Sequence, residues 1–171
     1  MEQVKTYENF PCQVVLIANA VSLGIYLIGA YVIWQLGLLW FILYLLFIFG
    51  FEIRLLKGHC VNCYYYGKYC AFGKGKISSW FFKKGSPDKF MGREMTWKDL
   101  LPDLLVTLIP VITGVILLIS NFNWRLLLAL ILLAGLASAG NGYVRSSLAC
   151  KFCKQKEAGC PAQQLFDKNK K

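Results

Sequence analysis

Charge is scarce in this chain, and acidic charge scarcest: 16% of its 171 residues are charged, with 9 Asp plus Glu against 19 Lys plus Arg. Soluble domains carry about a quarter charged residues. A chain this poor in charge and 57% hydrophobic is not disordered, and its composition departs from that of an ordinary globular enzyme. Histidine occurs once, as His59, which excludes bis-histidine haem ligation. No Walker or dinucleotide glycine pattern is present, and no nucleophile–base pair stands out, so enzyme activity has little support. The N-terminal stretch also lacks a clustered basic start and a convincing cleavage site. Its apolar run is too long, and too near a second run, for a cleaved signal peptide, so this segment is expected to be retained.

What the chain does have is apolar length. Residues 14–34, 36–53, 101–120 and 126–144 form four runs close to the roughly 20 residues needed to cross a bilayer at about 1.5 Å rise per residue. Asp103 stands at the mouth of the third run and Pro110 inside it. Asn19, Thr113, Ser138 and Asn141 read as helix–helix hydrogen-bonding residues. Cys, Met and His are missing from the runs and charge is missing from their depths, which ranks soft-metal, ion or small-solute transport last among the functions considered.

The connections near residues 34–35 and at 121–125 are short, and Arg125 is the only basic residue in them. The rest lie in the N-terminal tail, in 54–100, or from Arg145 onward. The positive-inside rule then places both termini and the middle segment in the cytoplasm of a multi-pass cell-membrane protein.

A shift of 90 residues aligns the halves without a gap. Thr6 falls on Thr96, Gly24 on Gly114, Trp34 on Trp124 and Gly50 on Gly140, while Cys60, Cys63 and Cys70 fall on Cys150, Cys153 and Cys160. The expected fold is an all-α integral membrane protein of four transmembrane helices. They form two parallel helical-hairpin repeats related by a pseudo-two-fold along the membrane normal, each followed by a cytoplasmic cysteine knuckle. Repeat one covers residues 1–81 with its knuckle at 60–70, a linker covers 82–93, and repeat two covers 94–171 with its knuckle at 150–160. The lead-ins at 6–11 and 96–102 read as N-capped helix starts at the interface. The small-residue face of span four (Ala134, Gly135, Ser138, Ala139, Gly140, Gly142) suits a central position or a dimer seam. Span two, with Trp40, Phe41, Tyr44, Phe47, Phe49 and Phe51, suits lipid contact.

Six of the seven cysteines form two copies of C-x2-C-x6-C: Cys60, Cys63, Cys70 and Cys150, Cys153, Cys160. Two thiolates at x2 spacing can chelate one ion, and in a reducing cytoplasm the pattern points to metal before disulfides. The spacing resembles the binuclear zinc cluster of fungal transcription factors. That resemblance covers about a dozen residues per copy and implies two zinc ions in a six-cysteine cluster, with Cys60 and Cys150 as bridging sulfurs. It does not extend to DNA recognition, because here a loop and two spans replace the family's short linker. An iron–sulfur cluster is the rival, with Cys160-Pro161 in its favour. A separate ion in each half, its fourth ligand from His59 or solvent, is a further arrangement. His59 aligns with Ala149, which favours a role outside the ligand set. Cys12 reads as a buried small hydrophobe, with lipidation or ligation as the lesser alternatives.

The segment Tyr64-Tyr65-Tyr66-Gly67-Lys68-Tyr69, with Phe72 to Lys76 and Trp80 to Lys84, alternates aromatics, glycines and lysines. It suits the headgroups of anionic lipids on the cytoplasmic face better than nucleotide or nucleic acid. Residues 168–171 read as a solvated tail. The expected function is a non-enzymatic metalloprotein scaffold at the membrane, zinc favoured, with a homo-oligomer or a membrane-complex partner. The alternative is an iron–sulfur electron-transfer subunit.

Overall fold

A computed structural model describes residues 6–87, 90, 92, 97–157 and 159–160. Thr96, Pro161 and the 168–171 tail, all invoked above, lie outside these residues. The described chain is all-helical apart from turns and one isolated bridge. Its main helices are α1 (Cys12–Trp34), α2 (Leu38–Gly58), the short α3 (Lys74–Phe81), α4 (Trp97–Ser120) and α5 (Trp124–Gly135). Beyond α5 the chain stays helical through two wider-wound stretches, Leu136–Gly140 and Val144–Ala149. Four helices are thus long and apolar enough to cross a membrane, and only 17–33% of each apolar window is buried inside the protein. Large apolar side chains on these helices, including Leu39, Leu46, Phe49, Ile119 and Ile131, are exposed, as a membrane span would leave them.

The ends of the helices differ from the apolar runs for local reasons. Helix α2 continues past Glu52 and Arg54 to Gly58, and the fourth candidate span continues past Val144 to Phe152. Polar residues end a hydrophobic run without ending its hydrogen-bond ladder. The turn between α1 and α2 is closed by Gly37, at φ 108°, whose N–H bonds the Trp34 carbonyl at 2.9 Å. The Asn123 side chain caps α5 by accepting from the Arg125 N–H at 3.0 Å. The first lead-in is not helical: Tyr7 forms an isolated bridge, bends follow at Glu8 and Asn9, and α1 begins only at Cys12.

The chain divides into two compact units. The first, Ala20–Glu52 with Lys98–Gly142, holds most of the apolar helix length. Ala30 and Ile33 of α1 pack on Tyr44 and Ile48 of α2, and Val32 packs on Leu126, Ala129 and Leu130 of α5. Helical spacing of these α5 positions turns one face inward. The small-residue face is not central: Ala134, Gly135, Ser138, Ala139 and Gly142 are not among the buried residues.

Pro110 of α4 is fully buried in this unit and cannot donate to the carbonyl four residues earlier. That carbonyl, of Val106, accepts instead from the Tyr44 hydroxyl at 2.8 Å. Gly29 makes the arrangement possible: a Cβ there would overlap Tyr44 Oη and stand 3.3 Å from Pro110 Cγ. An aromatic expected to face lipid is therefore the polar partner of a proline-interrupted helix. Tyr44→Phe should cost about 1 kcal/mol by orphaning a buried carbonyl. In a Pro110→Ala background the new N–H replaces the lost donor, so the same substitution should cost less than half as much. Thermal unfolding of the four proteins in one detergent measures this coupling, and equal costs in both backgrounds would refute it.

Candidate metal centre

The second unit, from Met1–Asn19, Ile53–Trp97 and Tyr143–Lys171, contains all six repeated cysteines. The two C-x2-C segments take the same local shape. Cys60–Asn62 and Cys150–Phe152 are single 3-10 turns, each closed by the second cysteine's N–H on the first cysteine's carbonyl at 3.3 Å. Cys63 and Cys153 then leave the turn in extended conformation, at φ −80° and −81°. Their carbonyls accept from Tyr66 at 3.0 Å and Lys156 at 3.1 Å. Glycines at positive φ, Gly67 at 77° and Gly159 at 100°, help redirect the chain toward Cys70 and Cys160. The Cys70 sulfur accepts a backbone bond from Gly75 at 3.4 Å, a donor that suits sulfur bearing negative charge.

The two C-x2-C segments are joined to each other by a reciprocal pair of hydrogen bonds. The N–H of Tyr64, one residue past Cys63, donates to Gln155 Oε1 at 2.7 Å. The N–H of Lys154, one residue past Cys153, donates to Tyr65 Oη at 2.9 Å. Both acceptors lie two residues past their own cysteine, and both are buried. Tyr65 Oη also donates to the Tyr7 carbonyl at 2.6 Å, and Gln155 Nε2 donates to the Gly159 carbonyl at 3.2 Å.

Residues 7–10 bond to both cysteine segments. Tyr7 pairs with Cys153 in a parallel bridge and donates its N–H to the Phe152 carbonyl at 3.0 Å. Phe10 donates to the Tyr69 carbonyl at 2.9 Å, and Asn9 Oδ1 accepts from the Tyr69 N–H at 3.1 Å. Glu8 bonds Lys154, Tyr64 and Lys68, the last at 2.9 Å. These partners, Lys154 first, hold its carboxyl well below the usual carboxylate range, at about 2. Rings of Phe152, Tyr7, Phe10, Tyr65 and Tyr64 follow one another at centroid separations of 5.2–5.5 Å. This aromatic wall, centred on buried Phe10 and Tyr65, packs against Cys63, Cys70 and Cys153.

No disulfide joins any of the seven cysteines. Burial pushes the Cys63 thiol up to about 12, and Cys70, Cys153 and Cys160 add to the shift. Cys153 is pushed up to about 11 by burial, with Cys150 and Cys160 adding. Sulfurs of both triplets thus lie within electrostatic range of one another. Among the described residues, however, no three His, Cys, Asp or Glu side chains are grouped so as to hold a metal ion. The donors fit a thiophilic metal in type and number, while the sulfurs stand apart from coordination geometry. His59 directly precedes the first turn, and Cys12 is exposed at the start of α1 instead of buried.

Composition and spacing do not single out Gln155; they place Tyr7 and Glu8 in a helix lead-in and Tyr65 and Gly75 in a lipid-facing stretch, not at the joint between the cysteine turns. The 90-residue register offers one signal: Tyr65 and Gln155 are hydrogen-bonding residues at matched positions immediately past the C-x2-C pairs. No family model, curated protein or solved structure matches the chain.

Proposed function

We propose that this chain is an internally duplicated, multi-pass cell-membrane protein with both termini cytoplasmic. Its two parallel hairpin repeats carry knuckles that share a thiolate metal centre, built from Cys60, Cys63, Cys70, Cys150, Cys153 and Cys160. Two zinc ions are the favoured content. The protein acts as a non-enzymatic platform on which a second copy or a membrane partner assembles.

The reciprocal bonding of Tyr64 to Gln155 and Lys154 to Tyr65 carries this reading. Exchange of bonds between matched positions is what a two-fold relation between the knuckles produces. It supports one shared centre over two separate ones. The concentration of basic residues outside the short connections supports the cytoplasmic assignment. Metal bound by thiolates supplies cross-linking that a small extramembrane unit with a modest core otherwise lacks. The chain's own residues prepare for it. The aromatic wall excludes water, the Gly75 N–H supports sulfur charge, and Glu8 ties Lys68 to Lys154 across the two knuckles.

Elemental analysis of anaerobically purified protein, with its visible spectrum, tests the proposal. Zinc without colour is expected. Iron with acid-labile sulfide and absorption that bleaches on reduction would replace the scaffold by the electron-transfer reading. Protein free of metal after anaerobic purification and zinc addition would overturn the metal centre.

A further inference from the structure

Helix α3 is held at both ends and presents an exposed apolar face. At its start Gly73, at φ 68°, approaches α1: a Cβ there would stand 3.3 Å from Val15 Cγ1, and Asn19 Nδ2 donates to the Phe72 carbonyl at 3.3 Å. At its end the Phe82 carbonyl accepts from Tyr66 Oη at 2.7 Å, and the Gly85 N–H bonds the Val61 carbonyl at 2.9 Å. Gly75 and Ser78 form the buried face. At 100° per residue Ile77, Trp80 and Phe81 fall away from that face, and all three are exposed, the two aromatics at 69% and 72%. Exposed Lys83 and Lys84 follow at once. Between Glu52 and Asp88 there is no acidic residue, while Arg54, Lys57, Lys68, Lys74, Lys76, Lys83 and Lys84 are all basic.

We infer that α3 is an in-plane foot, whose Ile77, Trp80 and Phe81 insert among the lipids of an anionic leaflet while Lys83 and Lys84 meet the headgroups. The depth argues for lipid over a protein partner. Val15 and Asn19 lie in the first two turns or so of an apolar span that begins at Cys12, so a helix pinned to them sits at the membrane–water boundary. Aromatics beside lysines, in a stretch of sequence free of acidic residues from 53 to 87, match that boundary in polarity and in charge. The inference rests on the reading that α1 spans a bilayer, and it is independent of the metal.

The test uses the full chain reconstituted in vesicles of phosphatidylcholine with or without phosphatidylglycerol. Trp80's share of the fluorescence is the difference between wild type and Trp80→Phe, a substitution that leaves an aromatic ring at the position. In anionic vesicles that share should be quenched severalfold more strongly by lipids brominated near the headgroup end of the chain than by aqueous iodide. The double variant Lys83→Glu, Lys84→Glu should lose the dependence on phosphatidylglycerol, since each lysine near an anionic surface favours docking about fivefold. Trp80 quenched by iodide but not by bromolipid, in protein that floats with the vesicles, would overturn the foot and leave the spans intact. Protein that does not float would overturn the spanning reading and the foot with it.

Discussion

Serine at Cys63 or at Cys153 should abolish most metal binding and lower the stability of the detergent-solubilised protein by at least about 3 kcal/mol, against the roughly 10–16 kcal/mol that structural zinc contributes to isolated finger peptides. The two variants should resemble each other, because a shared centre gives the matched cysteines equivalent roles. The double variant should cost clearly less than the sum of the singles, since the first substitution already removes what the second would disturb. Cys12→Ser is the control: Cys12 is exposed, lies outside both triplets, and should leave metal content and unfolding unchanged. Metal per chain and thermal unfolding on the same samples decide the matter. Full metal content with wild-type stability in both single variants would defeat the shared centre. Additive losses would point to two independent ones.

Gly75→Ala should be nearly as damaging, although it replaces no cysteine. A Cβ at this position would overlap the Tyr65 carbonyl oxygen and fall 2.8 Å from that of Lys68. Both obstacles are backbone, so no side chain can swing aside to relieve the overlap. The segment of chain carrying residue 75 must retreat. That breaks its bond to Cys70 Sγ at 3.4 Å and the bonds its carbonyl accepts from Gly67 and Ser78, both at 2.9 Å. The expected cost is about 2–4 kcal/mol, at the upper end for overpacking a tight site, together with reduced metal binding because Cys70 loses its register. Gly50→Ala makes the comparison. A Cβ on Gly50 meets nothing within 4 Å, and alanine in a helix is favoured over glycine by about 1 kcal/mol. Unfolding midpoints should therefore move in opposite directions for the two substitutions. A neutral Gly75→Ala would show that the loop closing on Cys70 is not held as described.

The four long helices were readable because hydrophobic length is a local property: each run announces a helix without reference to any other part of the chain. Their ends were less readable. Helix α2 outlasts its apolar run by several residues, and the helix begun at Trp124 runs to the second cysteine turn. The cysteine triplets were equally plain, since their spacing is written within about ten residues. What holds the triplets together was not. Tyr7 reads as the neighbourhood of a helix cap and is instead paired with Cys153. Tyr44 reads as a lipid-facing aromatic and instead completes the hydrogen bonding of a helix that Pro110 interrupts.

Sequence alone determined the all-helical class, the number of candidate spans, the concentration of basic residues outside the two short connections and the six cysteines at repeated spacing. Each of these follows from composition or from periodicity over a few turns. Only the tertiary structure decided which polar atoms answer one another. Tyr64 to Gln155, Lys154 to Tyr65 and Tyr44 to Val106 are separated by 91, 89 and 62 residues. Buried polar groups must be paired, but a linear pattern does not say by whom. That choice is made when helices close against each other and leave a particular carbonyl or N–H without a local partner.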